Sequence, residues 1–194
     1  MPHIHTQPNQ HDMTVSGYIV RVDDVEPRCL VHMHRKMGKL MQIGGHIELD
    51  QTPWQSMAQE LKEESGYELG EVQVAQHSTE RLDDTTLVTH PTPFLVNTHS
   101  VGNNHFHSDL CYGFVALAPP LNQVAEGESE DSRWLTLSEL DAAVESGEAL
   151  SDMRNIYRLF VKTIGSYALV AATSFSLAKP TEAIATYKYG APGQ

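Results

Sequence analysis

The residues best suited to chemistry are three glutamates in one short segment. Glu60, Glu63 and Glu64 are spaced so that a helix would bring their side chains together over one or two turns. Three like charges so close together repel, and a divalent cation would relieve that repulsion, since hard ions such as magnesium prefer oxygen ligands. The spacing therefore suggests a metal site, while a solvated acidic face remains the alternative explanation.

Capping residues predict the helix that must carry these glutamates. Thr52 is a favourable N-cap, Pro53 suits the first helical position, and Gln55 can complete a capping box. Gly66 can adopt the left-handed conformation that closes a helix, so the predicted helix spans about residues 53–65. Its apolar residues share one side and are expected to pack in the core: Trp54, Met57, Ala58 and Leu61.

This segment resembles the Nudix box, whose usual form is G-x5-E-x7-R-E-U-x-E-E-x-G-U with U aliphatic or aromatic. The positions that match at the required spacing are Gly45, Glu60, Leu61, Glu63, Glu64, Gly66 and Tyr67. Two positions differ, because Gln51 replaces the first glutamate and Gln59 replaces the arginine. The net charge of the pair is unchanged, and we hypothesise that an amide hydrogen bond replaces an ionic contact there.

The resemblance implies a fold and an activity. The fold would be a Nudix-type α/β/α sandwich with a mixed β-sheet between helices. The activity would be cleavage of the diphosphate linkage in a nucleoside diphosphate derivative, by metal-assisted attack of water. Glu60, Glu63 and Glu64 would hold Mg²⁺ or Mn²⁺ and take part in catalysis, and the carbonyl of Gly45 would complete the coordination sphere.

The resemblance also points to a carboxylate ahead of Trp134. In the family such a residue often reaches the metal or the attacking water. Glu128 best fits the spacing and is the predicted catalytic residue, with Glu130 as the alternative.

A second polar cluster opens a strand predicted over about residues 105–118. Strand alternation places His105, His107 and Asp109 on one face. Two imidazoles and a carboxylate can bind a metal, contact substrate phosphates or form a hydrogen-bonded structural cluster. We predict substrate binding for these three residues and for Glu48, and the other two interpretations remain open.

Other segments predict the remaining framework. Strands are expected over residues 14–22, 29–34, 39–43, 71–77 and 94–96, and a second long helix over 151–164. Between residues 78 and 104, Asp83, Asp84, two prolines, Gly102 and the pair Asn103-Asn104 predict long loops that cover a site. The predicted organisation is a polar tail over 1–12, containing His3, His5 and His11, a Nudix domain over 13–165 and an extension over 166–194. That extension would pack on the domain or on the second subunit of a homodimer.

Composition limits the partners. The chain has 194 residues, 40% hydrophobic content and a formal net charge of −12, which disfavours nucleic-acid polymers and anionic membranes as partners. A small phosphorylated substrate stays compatible because a bound metal supplies positive charge locally. Cys29 and Cys111 are the only cysteines, so we expect buried thiols, no disulfide framework and a cytoplasmic location.

Two other functions remain open. A Nudix fold that binds a nucleotide or sugar-nucleotide as a sensor, with weak or no turnover, would accommodate Gln51 and Gln59. An isomerase resembling isopentenyl-diphosphate isomerase would use the same fold. It is disfavoured because the surroundings of Cys111 do not resemble the cysteine motif of that enzyme.

Overall fold

The fold is built from a mixed β-sheet and helices. The computed structural model describes residues 7, 9–80, 82 and 87–179. Within these residues the strands are β1 His11–Arg21, β2 Arg28–His34, β3 Lys39–Met41, β4 Ile43–His46, β5 Val72–Gln76, β6 Leu95–Gly102, β7 His105–Ala116, β8 Ser132–Leu135 and β9 Ala168–Ala171. The α-helices are α1 Pro53–Ser65, α2 Leu137–Glu145 and α3 Ser151–Thr163. None of the helices in these ranges combines the length and apolar character needed to cross a bilayer.

A parallel pair, β1 and β7, forms the centre of the sheet. Its register runs from His11 opposite Phe106 to Arg21 opposite Ala116. The main strand order is β3-β2-β1-β7-β5-β9, and β4, β6 and β8 add to β1, β7 and β2 respectively. The other strand pairings in the described part of the chain are antiparallel. The sheet is therefore mixed, as the resemblance implied.

Helices cover both faces of this sheet over two separate hydrophobic cores. Alternate residues of β1 supply both cores, because successive strand residues point to opposite faces. The core against α1 includes Val15, Ile19, Trp54, Met57, Leu61 and Phe114. The core against α2 and α3 includes Tyr18, Val20, Leu140, Tyr157 and Phe160. The predicted α/β/α sandwich is confirmed.

Helix α1 begins and ends where its capping residues predicted. The Gln55 N–H donates to Thr52 Oγ1 at 3.2 Å, and the Thr52 N–H donates to Gln55 Oε1 at 2.9 Å, which completes the capping box. At the other end Gly66 has φ 75°, and its N–H donates to the carbonyl of Lys62. Glycine reaches this left-handed conformation without steric cost, so the helix stops there.

A β-hairpin replaces part of the predicted loop region. β6 extends to Gly102, and β7 starts at His105. Asn103 and Asn104 between them have φ values of 52° and 56°, and two consecutive positive φ values match the twist of a tight hairpin. The prediction of a long loop at this end was wrong, because the asparagine pair forms a turn between two paired strands. Asp83 and Asp84, from the same prediction, lie outside the described residues.

Strand pairing places several boundaries away from their predicted positions. β1 starts at His11, so the strand begins before the predicted domain boundary at residue 13, and Asp12 is fully buried. The strand predicted over 39–43 is two strands, β3 and β4, which pair with different partners. From the predicted extension, β9 pairs with β5 and Phe175 joins the core against α1. His3 and His5 lie outside the described residues.

The substitution Trp54→Ala should destabilise the protein strongly. Trp54 is fully buried, and its ring contacts Tyr112, Phe114 and Phe175. We expect a loss of about 3–5 kcal/mol in the free energy of unfolding, measured by chemical denaturation. Leu121→Ala is the control, since Leu121 is 86% exposed and its removal should change stability by less than about 0.5 kcal/mol. Similar losses in the two variants would contradict the packing of α1 against the sheet.

Candidate functional site

The carboxylates of α1 lie directly against the backbone of β4. Glu60 and Glu64 are buried, and Glu63 is half-buried. The Gly44 N–H donates to Glu64 Oε2 at 2.8 Å. A Cβ added to Gly45 would lie 2.2 Å from Glu60 Oε1, so a larger residue at this position would displace the carboxylate. Glycine is thus required at position 45 by the close approach of Glu60, and at position 44 by its φ of 148° and by the Val15 carbonyl, which an added Cβ would meet at 2.2 Å.

Burial and mutual repulsion disfavour the charged forms of these glutamates. Burial, followed by the negative charge of Glu63, raises the pKa of Glu60 to about 7. Burial, followed by the charge of Glu60, raises the pKa of Glu64 to about 9, although the hydrogen bond from Gly44 opposes that shift. A cation bound here would favour the ionised carboxylates.

His32 of β2 completes the surroundings of Glu64. Its Nε2 lies 3.5 Å from Glu64 Oε2, and its ring is buried. Burial lowers the pKa of His32 to about 4, so the imidazole is neutral at pH 7 and does not neutralise the carboxylate. Sequence reasoning missed this residue because a histidine in a largely apolar strand gives no sign that a glutamate of a distant helix lies against it.

The predicted ligands fit a hard divalent cation. Glu60, Glu63 and Glu64 offer only oxygen donors, which suit Mg²⁺ or Mn²⁺. The Gly45 backbone lies close to the Glu60 carboxylate, which is consistent with a role for its carbonyl. The assignment of these four residues as ligands stays a prediction.

The two glutamines that depart from the Nudix box form the expected amide hydrogen bond. Gln51 Nε2 donates to Gln59 Oε1 at 2.7 Å. Gln59 Nε2 in turn donates to Glu63 Oε1 at 3.1 Å, and Ser56 Oγ donates to Gln51 Oε1 at 2.7 Å. This chain of hydrogen bonds ends on a predicted metal ligand, so the two glutamines help to orient Glu63.

Two carboxylates from loops add negative charge near the glutamates of α1. The negative charges of Glu128 and Glu48 both raise the pKa of Glu60, and that of Glu128 also raises the pKa of Glu64. Glu128 is half-buried, whereas its alternative Glu130 is exposed. Position and charge therefore favour Glu128 as the loop carboxylate of the site, and its catalytic role stays a prediction.

The second predicted cluster has a different membership. His105 and His107 lie on one face of β7, and Asp12 of β1 joins them, with its Oδ2 3.1 Å from His105 Nε2. Asp109 lies on the same face but accepts hydrogen bonds from Thr14 Oγ1 at 2.8 Å and Cys111 Sγ at 3.1 Å. The buried side chain of Asp109 is therefore used within the sheet. Its predicted role in substrate binding is not tested by this geometry.

Sequence reasoning missed Asp12 and His46 as members of this cluster. The predicted tail included Asp12, yet this residue pairs directly with His107 in the parallel register. His46 Nε2 lies 3.4 Å from Asp12 Oδ2, and its ring centroid lies 4.9 Å from that of His107. Only the register of β4, β1 and β7 brings these residues together, and no local pattern reports that register.

The thiols of Cys29 and Cys111 are buried and free, as predicted.

Comparison with known proteins identifies the family. A search of curated proteins found no match. A NUDIX-family hydrolase from Clostridium perfringens is 23% identical with a TM-score of 0.62, over 79% of this chain and 97% of that chain. An Ap4A hydrolase from C. elegans in a binary complex is 15% identical with a TM-score of 0.58, over 79% and 98%. The NUDIX domain of NrtR from Shewanella oneidensis, complexed with ADP ribose, is 14% identical with a TM-score of 0.57, over 80% and 89%.

These identities show a shared fold and no more. The family model of the NUDIX domain matches residues 11–160, a range that contains α1, the glycine pair of β4 and both polar clusters. The match covers most of the chain, and the protein therefore belongs to the Nudix family.

Proposed function

We propose that the protein is a divalent-metal-dependent pyrophosphohydrolase that cleaves the diphosphate linkage of a nucleoside diphosphate derivative. The observation that carries this proposal is the pair of buried glutamates, Glu60 and Glu64, held against the β4 backbone in a Nudix fold. Burying two carboxylates without a cation is costly. Family membership supports hydrolysis, and the similar structures include an Ap4A hydrolase and a domain complexed with ADP ribose.

Residues of α1 and β4 have different roles in this proposal. Glu60, Glu63, Glu64 and the Gly45 carbonyl would hold Mg²⁺ or Mn²⁺. When bound, the ion would offset the charge of the substrate phosphates and lower the pKa of a coordinated water. The Gly44 N–H fixes Glu64, and the Gln59 amide fixes Glu63.

The loop carboxylates complete the proposal. Glu128 and the ionised glutamates of α1 are the candidates for accepting the proton of the attacking water. Glu48 would contact the substrate. Its place between the glycine pair and the start of α1 puts it beside the predicted ligands.

A turnover assay tests this function directly. The panel is ADP-ribose, dinucleoside polyphosphates, nucleotide sugars and nucleoside triphosphates, each with Mg²⁺ or Mn²⁺, and the readout is the release of phosphate-containing product. We expect turnover of at least one substrate class and a loss of about 100-fold or more in kcat for Glu64→Gln.

Glu145→Gln is the matched control for this assay. It makes the same chemical change at an exposed residue of α2 and should leave kcat unchanged. Nucleotide binding without turnover, unaffected by Glu64→Gln, would contradict the proposal and favour the sensor.

Restoring the usual charges of the Nudix box should raise activity. In a Gln51→Glu, Gln59→Arg double variant, the new guanidinium can pair with both the new carboxylate and the native Glu63. It would then hold Glu63 more firmly than the amide of Gln59 does. We expect kcat/KM to rise by about 2-fold to 10-fold. The single variants are the controls: Gln51→Glu lacks the guanidinium and should show no gain, whereas Gln59→Arg lacks the second carboxylate and should show a smaller gain than the double variant. Unchanged kcat/KM in the double variant would mean that the glutamine pair is a neutral replacement.

Stability should depend on pH through Glu64 when metal is absent. Because the pKa of Glu64 is raised to about 9, the folded protein favours the protonated form of this group more than the unfolded chain does. The stability that the protonated form contributes is complete below the ordinary carboxyl pKa and is lost as pH rises through about 9. Glu64→Gln keeps an acceptor for the Gly44 N–H and carries no charge. At pH 8 in a chelator, the variant should therefore be more stable than the wild type by more than about 1 kcal/mol.

Denaturant unfolding at pH 5 and pH 8 measures this difference. Added Mg²⁺ should stabilise the wild type at pH 8 more than it stabilises the variant. Identical pH dependence in both proteins would show that Glu64 is not buried as a poorly solvated carboxyl group.

A further inference from the structure

We propose that Asp12, His105 and His107 form a zinc site that is separate from the glutamates of α1. One potential ligand atom from each of the three residues lies within 4.8 Å of those of the other two. Asp12 and His105 are buried, and His107 is half-buried. The sequence left three interpretations open for the two histidines, and the one proposed is metal binding, with Asp12 in place of Asp109.

The central strands hold these ligands on a rigid frame. His105 and His107 are two residues apart on β7, so both imidazoles point to the same face. Asp12 on β1 pairs with His107 and lies beside them. The site therefore depends on the register of the most central strand pair and not on a loop, which favours a fixed geometry.

The distances approach those of a tetrahedral site. Zinc bonds to nitrogen or oxygen are about 2 Å long, so neighbouring ligand atoms in a tetrahedron lie about 3.3 Å apart. His105 Nε2 lies 3.1 Å from Asp12 Oδ2, and His46 Nε2 lies 3.4 Å from the same oxygen. The ring of His46 also packs against His107, with centroids 4.9 Å apart. His46 therefore lies beside this group without belonging to it, because the ligand atoms that all lie within 4.8 Å of one another come from Asp12, His105 and His107.

The chemistry of the donors distinguishes this site from the glutamate site. Imidazole nitrogen suits zinc and similar transition ions, whereas a set of carboxylate oxygens alone suits Mg²⁺ or Mn²⁺. The two sites also lie on opposite faces of the sheet. Gly45 pairs with Val15, which packs against α1, and His46 pairs with Thr14 on the other face. Neighbouring residues of β4 thus face different sites.

Metal binding to the full chain tests the proposal without any assay of activity. The protein is prepared without a histidine tag and stripped with a chelator, and Zn²⁺ is titrated by calorimetry and by competition with a chromophoric chelator. Co²⁺ then replaces Zn²⁺, so that visible absorption reports tetrahedral coordination. We expect one zinc equivalent in the wild type and an affinity lower by at least about 100-fold in His107→Gln and Asp12→Asn.

Two matched controls separate this site from other ligands. His77→Gln removes an exposed imidazole elsewhere and should bind zinc as the wild type does. A Glu60→Gln, Glu63→Gln double variant disables the predicted magnesium ligands and should also keep zinc. Thermal melts guard against misfolding, since zinc should raise the melting temperature of the wild type and not that of folded His107→Gln.

Three results would each overturn the zinc site. One is the absence of zinc binding by the stripped wild type at micromolar concentrations. Another is unchanged affinity in both His107→Gln and Asp12→Asn. The third is loss of zinc only in the glutamate double variant or only in a His3→Gln, His5→Gln variant, which would assign the ion to those residues. None of these outcomes bears on the hydrolase assay, so the two proposals fail independently.

Discussion

The close approach of two buried carboxylates to one stretch of backbone constrains the rest of this structure. Glu64 accepts a hydrogen bond from Gly44, and Glu60 occupies space that any side chain at residue 45 would fill. Such an approach places negative charge where water is scarce, and the cost of desolvation remains large until an opposite charge is supplied. The arrangement persists because α1 is fixed by its hydrophobic side, where Trp54, Met57 and Leu61 are fully buried.

The two faces of the sheet carry chemically different groups of side chains. On the side of α1, the environment is acidic and all the predicted ligands are oxygens. On the opposite face, imidazoles from β4 and β7 surround Asp12. Alternation along each strand is enough to separate the two sets, although Gly45 and His46 are adjacent in sequence. One short strand therefore contributes to two environments that favour different kinds of metal ion.

Local signals explain which parts of this protein could be predicted. The boundaries of α1 follow from Thr52, Gln55 and Gly66, whose contacts lie within a few residues, and the spacing of the glutamates follows from helical geometry. The hairpin was missed because Asn103-Asn104 signals a chain reversal without showing whether the flanking segments pair. The contributions of Asp12 and His46 could not be predicted, because both depend on strand register between distant segments. That of His32 depends on how α1 packs on the sheet. Asp12 and His105 are 93 residues apart in the chain.

The central parallel pair has a consequence for how the molecule is made. β1 leaves the ribosome before its neighbour β7, which follows only after β2 to β6 and α1 have been synthesised. Closing so long a loop carries an entropic cost before any contact compensates for it, and contacts of large sequence separation slow folding. During synthesis β1 therefore has an unpaired edge on the side that β7 will occupy, and such an edge can pair wrongly with another chain. Nascent chains that end before residue 105 lack the central ladder, so the cooperative folding step waits for the synthesis of β7.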